Sequence, residues 1–124
     1  MKTIIKKLLL SSFILASTFS TAHADILVGE IKGASCYLHA TNCLTSKEDP
    51  HVQLENDFIF VTDSEYYFLP NFPRHIKISL LNSVVKVKGH IKSHEIDVST
   101  VFKKQAGKFK NIWDEQKYSA DYAG

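Results

Sequence analysis

The sequence lacks the short motifs that mark the common catalytic centres. It contains no G-x-S-x-G nucleophile elbow, no G-x-x-x-x-G-K-[ST] phosphate loop and no H-E-x-x-H zinc helix. Its only two cysteines, Cys36 and Cys43, are not arranged as C-x-x-C, which disfavours a thioredoxin-like oxidoreductase. No internal repeat and no low-complexity segment is present. We therefore expect a protein that is not an enzyme and that uses no cofactor.

The chain also lacks an apolar run long enough to cross a bilayer. The main apolar segment, Leu8 to Phe19, is about a dozen residues long, short of the roughly 20 that a transmembrane helix needs. Three lysines precede this segment, and Ala22-His23-Ala24 follows it with small residues at the positions that signal peptidase inspects. The sequence predicts a cleavable signal peptide over residues 1–24 and export of the rest to the periplasm or the medium.

Removal of this segment leaves little net charge. The whole chain has 15 Lys and Arg residues against 13 Asp and Glu residues, and three of the basic ones lie in the predicted signal peptide. The mature chain from Asp25 then has 12 basic and 13 acidic residues, a net charge of −1. This composition gives no reason to expect a nucleic-acid partner, and we expect no stable membrane insertion after cleavage. The remaining 100 residues are enough for one small hydrophobic core.

Both cysteines lie in the mature part, with six residues between them. In an oxidising compartment an even number of cysteines predicts a disulfide. A Cys36–Cys43 bond closes a short loop. We therefore expect it to stabilise the fold by no more than the roughly 3 kcal/mol estimated for a loop of about 15 residues.

Metal binding is the alternative use of the same segment. Cys36, His39, Cys43 and His51 are of the residue types that bind zinc or copper, and four ligands complete a tetrahedral site. Their spacing matches no standard zinc pattern, and periplasmic thiols tend to oxidise before a metal can hold them. A periplasmic metal carrier is therefore the second hypothesis, behind a disulfide-pinned loop.

Alternating β-branched and aromatic residues predict short strands in the mature chain. The predicted strands cover 25–32, 57–62, 66–69, 83–90 and 95–103. The second and third form one hairpin and the last two form another, while the first is predicted to be buried for much of its length. A short helix is predicted over 73–82, because Pro73 suits a helix start and Asn82 a helix end.

Two segments show no clear pattern. Residues 33–56 are predicted to form a long polar loop, and loops of this length are often functional. After Gly107, we expect Phe109 and Trp113 to dock on the barrel and the last residues of the loosely held tail to fray. This order of elements predicts a mainly β fold: a small five-stranded OB-fold-like Greek-key barrel with one short helix between strands 3 and 4. The alternative is another small sandwich or barrel of α+β type.

Several stretches carry a family resemblance. They are VGEIKGASC at 28–36, HATNC at 39–43, DSEYYFL at 63–69 and VVKVKGHIKSHEIDVSTV at 84–101. In these the chain resembles small exported bacterial proteins with an OB-fold-like domain, whose opening strand enters a cysteine-bearing loop and whose late hairpin carries V-x-V-x-G. Many members have no assigned activity. The better described periplasmic OB-fold family does not feature this cysteine loop, so no partner is carried over from it.

Histidines form a further candidate group. His90 and His94 flank the turn predicted between the last two strands, beside Glu95 and Asp97, where they could converge across the ladder. Solvated turn residues are the preferred interpretation. His75, at the start of the predicted helix, is interpreted as a surface or capping residue.

Aromatic residues give the third candidate, a binding face made of Tyr66, Tyr67 and Phe68, with Phe58 and Phe60 nearby. OB-folds bind oligonucleotides and oligosaccharides on a face built partly from aromatic side chains. About half of these side chains must point inward to fill a small barrel, so core packing is the preferred interpretation.

The leading functional hypothesis is a non-enzymatic exported binding or interaction module. Its loop, pinned by Cys36 and Cys43, is expected to face an unidentified protein or small ligand in the cell envelope.

Overall fold

The computed structural model describes residues 23–41, 43–44 and 46–123, so the predicted signal peptide up to residue 22 lies outside the described residues. In the described part, six strands form one open antiparallel sheet in the order β3-β2-β1-β4-β5-β6. The strands are β1 (Asp25–Gly33), β2 (Phe58–Val61), β3 (Tyr66–Tyr67), β4 (Val84–Lys92), β5 (Glu95–Gln105) and β6 (Lys108–Asp114). The helices are α1 (Ala34–His39), α2 (Arg74–Ser79), α3 (Glu115–Ala123) and a short 3-10 helix (Pro50–Leu54). None of the helices described is long and apolar enough to cross a membrane.

Both predicted hairpins and the predicted helix are confirmed. β2 pairs with β3, with Phe60 opposite Tyr67, and β4 pairs with β5 down to a tight turn at Ser93 and His94. The helix α2 is shorter than predicted, because it begins after Pro73 and ends at Ser79. β1 lies in the middle of the sheet and pairs with β2 on one side and with β4 on the other.

The expectation of five strands is wrong, because the C-terminal tail supplies a sixth. β6 pairs antiparallel with β5, and α3 follows it. A register shift between Val101 and Phe102 places Trp113 opposite Val101, and both side chains are buried. Trp113 therefore docks on the core as predicted, but it does so within a strand and not in a loose tail.

The expectation of a 24-residue irregular loop over 33–56 is also wrong. This segment contains α1 and the 3-10 helix, and the second of these places Val52 in the core. Asp49 caps the 3-10 helix through its side chain, which accepts a hydrogen bond from the His51 amide at 2.9 Å. Each helix is only five or six residues long, too short to show helical periodicity in the sequence.

Most of the hydrophobic core covers one face of the sheet, and Ile59, which alternates with Phe58 and Phe60 on β2, is fully buried on the opposite face. The buried core residues are Ile31, Val52, Phe58, Phe60, Leu69, Phe72, Leu80, Leu81, Val85, Val87, Ile96, Val98, Val101 and Trp113. On β1 only one face is covered: Ile26 is 59% exposed and Val28 is 49% exposed. The prediction that β1 is buried for much of its length is therefore wrong for this outer face.

Two glycines permit a close approach of neighbouring strands. A Cβ atom at Gly29 would overlap the carbonyl oxygen of Val61, and a Cβ atom at Gly89 would overlap that of Asp97. A side chain at either position would push the strands apart, so glycine is needed where β1 meets β2 and where β4 meets β5.

A parallel bridge links the two hairpins beyond the regular ladders. The Phe68 amide donates to the His94 carbonyl at 2.7 Å, and the Ile96 amide donates to the Phe68 carbonyl at 2.9 Å. The end of β3 thereby lies beside the start of β5, although these strands are far apart in the order of the sheet. The bridge places the β4–β5 turn next to the aromatic residues of β3.

Candidate functional site

A disulfide fixes the helix that follows β1. Cys36 lies in α1, and Cys43 returns to it with a Cα–Cα distance of 4.6 Å, within the usual range for a disulfide. The chain reverses at Ala40, which has a left-handed backbone (φ 53°) and whose amide donates to the Cys36 carbonyl at 2.9 Å. The predicted Cys36–Cys43 bond is therefore present.

The N-terminus of α1 is capped by Glu55, a residue that is distant from this helix in the sequence. The helix starts after Gly33, which has no side chain to cap it, and the Ser35 amide donates instead to Oε1 of Glu55 at 2.8 Å. Glu55 is only 3% exposed, and its Oε2 has no hydrogen-bond partner among the described residues. The amide of Ala34 donates to the Asp57 carbonyl at 3.0 Å. The first turn of α1 is thus held by residues about 20 positions further along the chain.

Arg74 holds the segment that carries Glu55. Its Nη2 donates to the carbonyls of Glu55 and Val52, at 2.7 and 3.1 Å, and its guanidinium lies 4.8 Å from the centre of the Phe58 ring. Because the flat guanidinium donates several hydrogen bonds in a fixed geometry, one side chain of α2 fixes the 3-10 segment against β2. α1 therefore sits on a rigid support.

The aromatic cluster consists of Tyr37, Tyr66, Phe68 and His94, and it lies beside this helix. The Tyr37 and Tyr66 rings are 5.9 Å apart, and Phe68 meets Tyr66 edge to face at 6.0 Å. The His94 ring stacks on Tyr66 with centroids 4.6 Å apart and an interplanar angle of 9°. Tyr37 remains 43% exposed, and its neighbour Leu38 is also exposed. The disulfide-bonded helix α1 and the strand β3 thus present one continuous aromatic surface.

His94 is also held by polar groups of the neighbouring hairpin. Its Nδ1 lies 3.3 Å from the Tyr66 carbonyl oxygen and 3.8 Å from Oε1 of Glu65. Four carboxylates, those of Asp63, Glu65, Glu95 and Asp97, are found in or next to the two turns that border the cluster. Lys92 opposes Glu95 beside the same turn, so the border of the cluster has an excess of acidic side chains and is not purely acidic.

The predicted aromatic face is divided between surface and core. Tyr66 and Phe68 belong to the cluster, whereas Tyr67 packs against the core. Phe58 and Phe60 are fully buried, which confirms core packing for these two. Strand alternation explains the division, because neighbouring residues of a strand point to opposite faces.

The other predicted site residues are dispersed. His39 is exposed at the end of α1, and the His51 ring nitrogen Nδ1 is 2.8 Å from Oδ1 of Asp49. The two sulfur atoms are bonded to each other, so neither is a thiolate ligand in this state. Within the described residues, no three His, Cys, Asp or Glu side chains are grouped as metal ligands.

His90 and His75 lie outside the cluster. Both are exposed, His90 on β4 opposite Asp97 and His75 in the first turn of α2. From the sequence, His94 is paired with His90 and both are interpreted as solvated turn residues; the contact of His94 with Tyr66 is not predicted, and Tyr37 and Leu38 are missed. The available signal was their position directly after Cys36, in a segment anchored by a disulfide.

The cluster is a surface and not a pocket. One cavity of about 520 Å³ lies between β6 and α3, next to Trp113 and Lys117, and another of about 450 Å³ lies on the outer face of β1, next to Val28 and Glu30. None of the four cluster residues lines either cavity. An open surface of this kind suits a macromolecular partner better than a small ligand, which needs a concave site.

Comparison of this chain with protein-family models, with curated proteins and with solved structures finds no match.

Proposed function

We propose that the protein is a non-enzymatic binding module that acts outside the cytoplasm and recognises a partner protein through the aromatic cluster. The observation that carries this proposal is the contact between Tyr37 and Tyr66, which unites the disulfide-pinned helix with the aromatic strand β3. Exposed aromatic side chains held in fixed positions are typical anchors of protein–protein recognition, because they bury much apolar area at a small entropic cost.

The chemistry of the cluster suggests the kind of partner. Tyr37 and Leu38 offer apolar area, while the carboxylates of Asp63 and Glu65 lie in the adjoining turn. A segment with apolar anchors flanked by lysine or arginine complements such a surface, and opposite charges at the rim raise the rate of association. The proposed partner is therefore a protein that presents an apolar segment flanked by basic residues.

The proposal includes an OB-fold-like scaffold. Three features support it: β1 lies between β2 and β4, a helix lies between β3 and β4, and a parallel bridge joins Phe68 near β3 to Glu95 at the start of β5. In this proposal β6 and α3 are additions at the C-terminal edge of a five-stranded OB-fold-like unit.

Export is part of the same proposal. The n-, h- and c-regions of residues 1–24 support it, and so does the disulfide, because such bonds persist mainly in oxidising compartments. Mass spectrometry of protein purified from the cell envelope or the medium tests export directly. A mature chain that begins at Asp25 supports it, and an intact chain retained in the cytoplasm contradicts it.

Site-specific photo-crosslinking tests the recognition surface. A photoreactive amino acid at position 37 or 38, in protein produced by its own host, is expected to trap the same partner from both sites. Leu54 is the matched control, because it is the most exposed large apolar side chain described (66%) and lies in the 3-10 helix, outside the cluster. Trapping that is equal at 54 and 37, or that survives His94→Ala unchanged, contradicts the proposal.

A further inference from the structure

The β5–β6 hairpin concentrates positive charge in a chain that is nearly neutral once residues 1–24 are removed. Its eight residues from Lys103 to Lys110 include four lysines and no acidic residue. No carboxylate of the described residues lies within 4.0 Å of any of these four ammonium groups. Lys104, Lys108 and Lys110 are exposed. The β5–β6 hairpin is therefore strongly basic, although the net charge of the mature chain is close to zero.

The placement of the lysines within this hairpin lowers the stability of the folded protein. Lys103 lies directly opposite Lys110 across the β5–β6 ladder, and like charges in this position destabilise a sheet. An anionic partner would relieve the repulsion between Lys103 and Lys110. This relief gives a physical reason for the hairpin to bind such a partner.

Apolar groups border the lysines of β4 on the outer face of the sheet. The ammonium of Lys86 lies 4.9 Å from the centre of the Phe102 ring and 4.6 Å from that of Phe109. In the ladder Lys86 pairs with the exposed Val28, and Lys88 pairs with the exposed Ile26. On this face positive charge and exposed apolar area lie side by side, with Lys86 and Lys88 on β4 and Lys104, which pairs with Phe109, on the hairpin. Lys103 and Lys110 pair with each other and lie on the opposite face, so the hairpin is basic on both faces.

Charge is separated along β5 itself. The strand has Glu95 and Asp97 near its start and Lys103 and Lys104 near its end, and its 11 residues span about 34 Å. The acidic end carries the β4–β5 turn with His94, which belongs to the aromatic cluster. The basic hairpin and the aromatic cluster are thus found at opposite ends of one strand.

We propose that the β5–β6 hairpin docks the protein on an anionic lipid surface. All four charges of the hairpin are lysines, which act as compact point charges and suit a diffuse anionic layer, whereas selective phosphate or carboxylate sites favour the fork of arginine. None of the four lysines lines the cavities described above, so the hairpin offers no pocket for a small anion.

The apolar border favours lipid over a soluble polyanion. Ile26 and Val28 lie next to the lysines of β4, and exposed aliphatic side chains gain free energy in the interfacial layer of a bilayer but not against a hydrated polymer. Docking through the hairpin turns the other end of β5 away from the membrane. The aromatic cluster then faces the aqueous side, free for its partner.

Vesicle flotation tests this inference without any need for the partner protein. The purified protein is mixed at low salt with vesicles of phosphatidylcholine alone, or with vesicles in which a quarter of the lipid is phosphatidylglycerol. Binding is expected only to the anionic vesicles, with release at high salt. Because a lysine at an anionic surface contributes roughly 1 kcal/mol, and each 1.4 kcal/mol is a factor of ten in affinity, replacing Lys103, Lys104, Lys108 and Lys110 by Gln is expected to weaken binding by roughly 1,000-fold.

A matched variant separates position from net charge. Replacing Lys32, Lys47, Lys92 and Lys117 by Gln removes the same four charges from outside the hairpin and is expected to leave vesicle binding within a few-fold of the unmodified protein. Circular dichroism and thermal unfolding verify that both variants fold.

Three outcomes overturn the inference: equal loss in the two variants, retained binding in the hairpin variant, or binding to heparin or single-stranded DNA as tight as to anionic vesicles. Each of these leaves the crosslinking test of the aromatic cluster unaffected.

Discussion

The rings of Tyr66 and His94 lie nearly parallel, with their centroids 4.6 Å apart. Tyr66 belongs to the β2–β3 hairpin and His94 to the turn of the β4–β5 hairpin, so this stack joins two hairpins that are not neighbours in the order of the sheet. The backbone bridge through Phe68 lies directly beside it. Side-chain stacking and backbone hydrogen bonds therefore both stabilise the contact between the two hairpins. The aromatic cluster contributes to this contact.

Replacement of His94 by Ala is expected to weaken this junction. Stacked rings contribute about 0.5–1.5 kcal/mol beyond their buried area, and a loss of that size is expected in urea unfolding. His94→Phe retains the stack and should unfold close to the unmodified protein. His90→Ala is the control, because His90 is exposed on the adjacent strand. Equal unfolding midpoints for His94→Ala and His90→Ala would show that the stack contributes nothing.

Removal of the disulfide is expected to lower the free energy of unfolding. Cys36 and Cys43 are seven positions apart, and chain-entropy arguments give about 2.5 kcal/mol for a loop of this size. The Cys36→Ser, Cys43→Ser double variant tests this by denaturant unfolding. We also expect Tyr37 to lose its fixed contact with Tyr66, which ring-current shifts in NMR spectra report. An unchanged Tyr37 spectrum would mean that Glu55 alone fixes α1.

Intact mass spectrometry distinguishes the disulfide from the metal-carrier hypothesis. Protein isolated from its own host without a reductant is expected to be lighter than the reduced chain by the mass of two hydrogen atoms and to contain no metal ion. A reduced chain with one stoichiometric zinc or copper ion would instead support the site made of Cys36, His39, Cys43 and His51.

The Lys77–Asp57 pair is expected to respond asymmetrically to mutation. Lys77 is 5% exposed and its Nζ lies 3.1 Å from Oδ1 of Asp57, whose own side chain is 39% exposed. Asp57→Ala leaves a buried ammonium without its partner and is expected to cost about 3–5 kcal/mol. Lys77→Met leaves Asp57 in contact with water and is expected to cost much less. Thermal unfolding of both variants checks the order, and a larger loss for Lys77→Met would contradict this reasoning.

Substitutions at Glu55 test the distant cap of α1. Glu55→Ala leaves the Ser35 amide without its acceptor and is expected to destabilise the protein by about 1–3 kcal/mol. Glu55→Gln keeps an oxygen for Ser35 and should cost less. Hydrogen exchange at Ser35 provides the specific measurement, since fast exchange is expected in Glu55→Ala only. Protection that persists in Glu55→Ala would show that another group caps the helix.

The elements that the sequence predicted well are those formed by local pairing. The two hairpins and α2 depend on alternation, on turn residues and on Pro73, and in each case the signal lies within one continuous stretch of the chain. β6 was missed because it pairs with β5 across a register shift at Val101 and Phe102, which interrupts simple alternation. Long-range pairing of this kind is not visible in a single pattern of side chains.

The candidate site was predicted only in part, for a related reason. The disulfide follows from the cysteine count and the predicted export, and Tyr66 and Phe68 follow from the aromatic run. Tyr37 belongs to a six-residue helix whose cap, Glu55, is 20 positions away from Ser35. Its contact with Tyr66 depends on the register between β1 and β2, which brings Gly33 opposite Phe58. Neither fact can be deduced before the sheet is known.

The central position of β1 has a consequence for how the protein folds. Asp25 pairs with Gly89, so the first strand gains its second neighbour only after more than half of the chain has followed it. Such a contact requires closure of a large loop, and folds dominated by distant contacts form slowly. The Phe68–Ile96 hydrogen bond adds a further distant contact. Pairing of β1 with β4 closes the longest loop of any strand pair in the sheet. We therefore expect this pairing to form late in folding.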